Sequence, residues 1–138
     1  ALQEPVAVKG LDTNVLVRLL VADDETQARR VVNLLESAER VGESFFVSSL
    51  VLLELAWVLE LAYDCTRAEV LEALERLTMM PVLRIENLSV VHRAIALGRK
   101  GRQDIADLLI GCCAADSGCT AVLTFDKSAS RHELFERL

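Results

Sequence analysis

Four acidic residues, in separate parts of this 138-residue chain, have the side chains and the sequence surroundings expected of cation ligands. Asp12 and Asp126 each directly follow a short apolar run, while Glu54 and Asp107 lie within helical patterns that are otherwise strongly apolar. Carboxylates are rarely buried without a partner. Acids placed in this way therefore indicate a cation-binding site rather than parts of a hydrophobic core.

Glu54 is the most difficult of these acids to explain structurally. The residues three and four positions away along its helix, which share its face, are all apolar: Leu50, Val51, Trp57 and Val58. Glu54 also lies too deep in the helix to form a capping box with Ser48 or Ser49. A purely structural role would therefore require a buried basic partner. Trp57 itself is predicted to be a core residue.

Asp104 and Asp107 are three residues apart and should share one face of a helix. Gly111, on the same face, is expected to leave space above Asp107. Asp104 has an alternative role as the first-turn acid that a helix dipole favours. Asp116, nine residues beyond Asp107, is predicted to face solvent.

The two remaining acids also have structural alternatives. Asp12 could cap a helix that begins near Thr13, and Asp126 could be a turn residue after a strand. The segment 130–133 reads as a capping box for a final helix, which would fill the capping role there without Asp126.

Short apolar runs alternate with longer helical patterns along the chain. Strands are predicted at 6–11, 45–47, 82–85 and 121–125, and helices near 13–21, 25–40, 49–63, 67–78, 88–98, 104–117 and 130–138. This alternation predicts an α/β fold with a parallel sheet covered by helices on both faces. Ligands in such folds bind beyond the carboxyl ends of the strands, so Asp12 and Asp126 are expected at the same sheet edge.

Length and composition predict one globular domain over residues 1–138, with 1–5 expected to be flexible or foreign to the domain. Hydrophobic residues make up 52% of the chain, yet no apolar run approaches the roughly 20 residues of a membrane span. The four cysteines lack paired metal-ligand spacing, and Cys112 and Cys113 look like small apolar fillers. With no export signal evident, these features predict a cytoplasmic protein with reduced thiols.

Taken together, the acidic segments resemble the PIN domain, and the resemblance spans nearly the whole chain. It rests on Asp12-Thr13-Asn14, Glu54, Asp104-Ile-Ala-Asp107-Leu-Leu-Ile110 and Leu123-Thr124-Phe125-Asp126, in that order. Within that family the chain is most similar to the VapC-type toxins of toxin-antitoxin pairs.

The resemblance implies a three-layer α/β/α fold with a central parallel sheet of four or five strands. It further implies an Mg²⁺- or Mn²⁺-dependent endoribonuclease that cleaves single-stranded or loop RNA, as the toxin of a type II pair. Asp12, Glu54, Asp107 and Asp126 match the family's catalytic and metal-binding quartet, and Asp104 matches a frequent additional acid. Pocket-lining polar residues are matched by Thr13, Asn14 and Thr124.

The resemblance also implies partners. Family members are commonly homodimers, and a cognate antitoxin places its C-terminal segment in the active-site groove. The short final strand often seen after the last helix is not evident in this sequence.

The chemistry expected of the four acids follows from their charge. Mg²⁺ prefers oxygen ligands and keeps several waters. Two carboxylates about 4.5 Å apart repel by roughly 3 to 4 kcal/mol at an effective dielectric near 20. A metal would relieve this repulsion and activate a water for attack on phosphate, leaving a 5′-phosphate and a 3′-hydroxyl. Asp12 and Asp107 are assigned to direct ligation, Asp126 to a second or water-mediated ligand, and Glu54 to orienting the water.

The net charge of −6 is unusual for a protein that binds nucleic acid through phosphates. An enzyme needs only transient contact with its substrate, however, and a bound metal offsets part of the negative charge. The basic residues directly before Asp104 are the candidates for contact with RNA phosphates: Arg99, Lys100 and Arg102.

Other classes of protein fit the sequence less well. A receiver-like Mg²⁺-binding signalling domain would carry Lys-Pro after the last strand, which is missing here, and would not use acids in the middle of helices. A phosphatase of the Asp-x-Asp type would carry a second acid two residues after Asp12, but this chain has Asn14 there. A dinucleotide-binding domain would carry Gly-x-Gly-x-x-Gly after a strand, and this sequence has no such motif. A non-catalytic PIN interaction module remains an alternative, although such a domain would be free to lose the acids.

Overall fold

The computed structural model describes residues 8–21 and 23–138, so the start of the predicted strand 6–11 lies outside the described residues. The elements in chain order are β1 (Lys9–Gly10), α1 (Thr13–Leu20), α2 (Glu25–Arg40), β2 (Phe45–Val47), α3 (Ser49–Leu61), α4 (Arg67–Thr78), β3 (Leu83–Ile85), α5 (Leu88–Lys100), α6 (Ile105–Asp116), β4 (Val122–Thr124), a 3₁₀ turn (Ala129–Arg131) and β5 (Phe135–Arg137). The first six predicted helices are confirmed to within two residues at each end. Their apolar periodicity and capping residues were sufficient to place them.

The strands form two parallel sheets. One has the order β1-β2-β3, with Phe45 paired to both Lys9 and Leu83, and the other pairs β4 with β5. Mixed α/β structure with parallel strands is thus confirmed. The predicted central sheet of four or five strands is not, because β4 hydrogen-bonds to β5 and not to the three-stranded sheet in the described part of the chain. Asp12 and Asp126 therefore follow strands of different sheets.

The C-terminal end corrects two expectations. The helix predicted at 130–138 is wrong, since this segment contains only a 3₁₀ turn followed by β5. The final strand that the sequence did not reveal is present, with Phe135 paired to Val122. Leu134 and Phe135 are both buried, so tertiary burial overrides the local helical signal.

Gly111 has a different role from the one predicted. It is buried in α6, where an added Cβ would lie 3.0 Å from Leu134 and from Phe135. The missing side chain therefore lets the end of the chain pack against α6. Gly111 makes room for a neighbouring segment of the core rather than leaving space above Asp107.

The core is built mainly from leucines of α3, α4 and α6. Fully buried examples are Leu52, Leu55, Leu59, Leu74, Leu77 and Leu108. Cys112 is buried among them as an apolar filler, as predicted, and all four cysteines are free thiols. Trp57 is 46% exposed, so its predicted place in the core is wrong. Among the helices described, none is long and apolar enough to cross a membrane.

Candidate metal centre

Asp12 and Glu54 lie on either side of a shared threonine. Asp12 is the N-cap of α1, and its Oδ1 accepts a hydrogen bond from the backbone N–H of Thr13 at 2.7 Å. The hydroxyl of Thr13 donates to Oε1 of Glu54 on α3. Thr13 is only 3% exposed, so this contact fixes the relative positions of two carboxylates that are distant in sequence. The capping role considered for Asp12 is therefore real, and it leaves the second carboxylate oxygen available for another partner.

Glu54 is exposed, although its helix face is apolar. Two of the apolar residues on that face are themselves on the surface, with Leu50 77% and Trp57 46% exposed. The apolar pattern around Glu54 therefore marks a surface and not the core, and no buried basic partner is required. The expectation that a structural role for Glu54 would need such a partner is therefore wrong.

The N-terminus of α3 is held by two polar side chains. Ser48 accepts a hydrogen bond from the backbone N–H of Val51 at 3.2 Å, and Glu86 accepts one from that of Ser49 at 2.9 Å. Glu86 lies directly after β3. It thus couples the sheet to the helix that carries Glu54. Sequence reasoning missed it, although an acid at a strand end was a usable signal.

Asp104 positions the first turn of α6. It is the N-cap residue, and its Oδ1 accepts a hydrogen bond from the backbone N–H of Asp107 at 3.0 Å. Asp104 is exposed, whereas Asp107 is partly buried. The cap fixes the backbone at Asp107, and the carboxylate of Asp107 lies in the positive field of the helix N-terminus. Asp116, at the far end of α6, is exposed as predicted.

Asp126 is held by the turn after β4. Its backbone N–H donates to the hydroxyl of Thr124 at 3.0 Å. Its Oδ1 accepts from the backbone N–H groups of Ser128 at 2.8 Å and Ala129 at 3.2 Å. Asp126 itself therefore caps the 3₁₀ turn, and the capping box predicted over 130–133 is wrong because no α-helix follows it.

Electrostatics connects the acids of α6 with the acid that follows β4. Burial raises the pKa of Asp107 above its ordinary value, and the negative charges of Asp104 and Asp126 raise it further. Asp104 and Asp126 are therefore close enough to disfavour the ionisation of Asp107. This repulsive field is the property that a bound cation would reverse.

The acids thus form two groups, one around Thr13 and one around Asp107. Across residues 8–21 and 23–138, no three acidic, histidine or cysteine side chains are arranged closely enough to hold a metal ion as they stand. The donors nevertheless fit Mg²⁺ or Mn²⁺ in kind, because they are carboxylate oxygens, and the partly buried Asp107 lies in the negative field of two others. The quartet of Asp12, Glu54, Asp107 and Asp126 stays a prediction as a ligand set.

The other predicted site residues on α1 and around the end of α5 are exposed. Asn14 is exposed on α1, Lys100 is exposed at the last position of α5, and Arg102 is exposed in the turn before α6. Arg99 forms ion pairs with Glu75 and, at 3.9 Å, with Glu72. Because it is shared with two carboxylates of α4, Arg99 is the weakest of the three basic candidates for a phosphate contact.

The protein is an α/β domain with parallel strands. Its candidate site residues are carboxylates that follow strand ends or lie on α3 and α6, and carboxylate oxygens suit a divalent cation. The chain belongs to the PIN domain family, since the sequence model of that family matches residues 10–133. The family predicted from the acidic segments is thereby confirmed.

A curated relative is also similar along most of its length. The chain is 28% identical over 120 residues to the VapC ribonuclease of Aquifex aeolicus (strain VF5), covering 87% of this chain and 88% of that protein. The predicted similarity to VapC-type proteins is confirmed.

Proposed function

We propose that this protein is an Mg²⁺- or Mn²⁺-dependent endoribonuclease that cleaves single-stranded or loop RNA. The observation that carries the proposal is the environment of Asp107, a partly buried carboxylate whose pKa is raised by burial and further by the negative charges of Asp104 and Asp126. Buried carboxylates are normally paired with a cation, whereas Asp107 lies beside two further acids. The relative's description as a ribonuclease gives the proposed reaction its class.

In this proposal, Asp12 and Asp107 would hold the cation directly and Asp126 would bind it directly or through water. When bound, the cation would neutralise the carboxylates, orient a scissile phosphate and lower the pKa of a water. Glu54, held by Thr13, would orient that water. The products would carry a 5′-phosphate and a 3′-hydroxyl.

Cleavage assays with acid-to-amide variants test this function. Unstructured and structured RNAs are incubated with and without Mn²⁺, using the parent protein beside Asp12→Asn and Asp107→Asn. Asp116→Asn is the matched control, because Asp116 is an exposed acid at the other end of the helix that carries Asp107. We expect metal-dependent cleavage that both site variants lose and the control keeps. Cleavage without metal, or full activity in both site variants, would refute the proposal, and absence of cleavage by the parent would favour a non-catalytic PIN module.

The biological role that we propose is the toxin of a type II toxin-antitoxin pair acting in the cytoplasm. Trp57 and Leu61 are 46% and 77% exposed, and they follow Glu54 at helical spacing on α3. Large apolar side chains exposed beside an acidic site suit a partner segment that covers both. Because Trp57 is the single tryptophan of the chain, its fluorescence should shift when the product of an adjacent small reading frame binds. An unchanged spectrum on binding would place that partner elsewhere.

A homodimer is the oligomeric state that we propose. An apolar groove of about 460 Å³ lies between α3, α5 and α6, with Leu50, Leu53, Val90, Leu109, Ile110 and Cys113 among its lining residues. A second copy of the chain would bury this surface. Ile110→Lys should yield a monomer in sedimentation experiments, whereas Met79→Lys, at an exposed apolar residue outside the groove, should not. A dimer that survives the first substitution would exclude this face.

A further inference from the structure

Arg67 connects the end of one helix to the start of the helix that carries Asp107. Its Nη2 donates to the carbonyl of Gly98, in the last turn of α5, at 2.9 Å. Its Nη1 donates to the carbonyl of Gln103, the residue directly before Asp104. One guanidinium on α4 therefore holds both ends of the turn that leads into α6.

The position of Arg67 is unfavourable for α4 itself. It is the first residue of that helix, where the helix dipole favours acids over bases. Its Nε is buried without a hydrogen-bond partner among the described residues, which carries a desolvation cost. Local helix stability therefore does not account for an arginine here, whereas its two long-range carbonyl contacts do.

Close packing brings α4 within reach of this turn. Gly98 is buried, and a Cβ at that position would lie 2.8 Å from Leu71 of α4. Leu71 thus occupies the space beside α5 and brings the two helices together. This approach lets the side chain of Arg67 span from the start of α4 to Gln103.

We infer that Arg67 is a positioning residue of the acidic site, acting through the N-cap of α6. The connection runs from Arg67 to the Gln103 carbonyl, then through the adjoining peptide to Asp104, and from the Asp104 carboxylate to the backbone N–H of Asp107. The effect of Arg67 on metal-dependent cleavage rests on the proposed function. The placement of the first turn of α6 does not depend on that function.

Two readouts test this role, one with and one without metal. Arg67→Met keeps the apolar stem and removes every donor, Arg67→Lys keeps one donor group, and Arg76→Met is the matched control at an exposed arginine of α4. In the metal-free protein, backbone amides 105–108 should exchange hydrogen about tenfold faster in Arg67→Met than in the control. The Mn²⁺ concentration for half-maximal cleavage should rise roughly 10- to 100-fold, with a lower kcat and little change in KM. In both measurements, Arg67→Lys should give a value between those of Arg67→Met and Arg76→Met.

Equal exchange at 105–108 in Arg67→Met and Arg76→Met, with the same Mn²⁺ midpoint, would overturn the inference. Faster exchange spread evenly over α2 and α6 would also overturn it, since that pattern indicates a general loss of stability. If Arg67→Met fails to fold, Arg67→Lys decides by the same measurements. Absence of cleavage by the parent protein would refute the proposed function, and the exchange data would still decide the role of Arg67.

Discussion

Asp104 and Asp107 are coupled in two opposing ways. The carboxylate of Asp104 accepts a hydrogen bond from the backbone N–H of Asp107 at 3.0 Å, which fixes the start of α6. Its negative charge meanwhile contributes, after burial, to raising the pKa of the Asp107 side chain. The same residue thus stabilises the backbone of its neighbour and destabilises its charge, a combination that a cation would resolve.

Asp107→Asn should stabilise the metal-free protein, because it removes a carboxylate whose ionisation is disfavoured in the folded state. We expect Tm in EDTA at pH 7 to rise by about 2 to 4 °C, whereas Asp116→Asn should leave it unchanged. A raised folded-state pKa means that the stability contribution of Asp107 is fully present below its unfolded pKa and is lost as pH rises through the folded pKa. The advantage of the variant should therefore disappear below about pH 4. A lower Tm for the variant at pH 7 would contradict the repulsion.

Divalent metal should stabilise the parent protein against heat. At a Mn²⁺ concentration about a hundred times the Kd, the free energy of unfolding should increase by about 2.7 kcal/mol. Melting curves with MnCl₂ are compared with NaCl at matched ionic strength. The increase should be absent from Asp107→Asn. An equal rise in NaCl would show general screening rather than a metal site.

Thr13→Val should lower activity more than stability. The substitution keeps the shape of a buried side chain while removing the hydroxyl that donates to Glu54, and the exposed Glu54 can bind water instead. Without the hydroxyl Glu54 is less precisely positioned, and misplacement of a catalytic group by about 1 Å can cost about 100-fold, so kcat should fall roughly 10- to 100-fold. Thr13→Ser, which retains the hydroxyl, is the control and should keep most of the activity. Equal losses in both variants would point to packing as the cause.

Gly111→Ala should destabilise the protein even though alanine favours helices. The new Cβ would lie 3.0 Å from Leu134 Cβ, which cannot move without its backbone. We expect a loss of about 1 to 3 kcal/mol in the free energy of unfolding, measured by denaturant titration. Gly98→Ala is the contrast, because there the short contact would be with the flexible end of Leu71, while Leu108 would lie at an ordinary 3.6 Å. If Gly111→Ala were neutral, the packing of β5 against α6 would have to be looser than described.

The exposed pair Lys100 and Arg102 should account for the salt dependence of RNA binding. Each phosphate contact on a single strand contributes about 0.7 to the slope of log affinity against log salt. Replacing both residues with Gln should therefore reduce that slope by about 1.4. Arg99→Gln should change it little, since Arg99 already pairs with Glu75. An unchanged slope in the double variant would remove this turn from the RNA-binding surface.

The local structure of most of the chain and the identity of the acids could be predicted from the amino-acid sequence alone. Helices such as α2 and α4 have strong periodicity and capping residues, so neighbouring positions were enough to place them. The order and spacing of the acidic segments were likewise enough to identify the PIN domain family. Nothing in either step required contacts between distant residues.

The exposed face of α3 and the strand near the C-terminus depend on contacts that form only in the folded chain. Trp57 and Leu50 have core-like side chains but lie on the surface, because the opposite face of α3 packs inward through Leu55 and Leu59. Segment 130–138 has a local helical pattern, yet long-range burial of Phe135 and its pairing with Val122 favour a strand. Contacts such as that of Arg67 with Gln103 join residues 36 positions apart. Local propensity carries no information about such contacts, because their energy depends on packing that forms only in the folded chain.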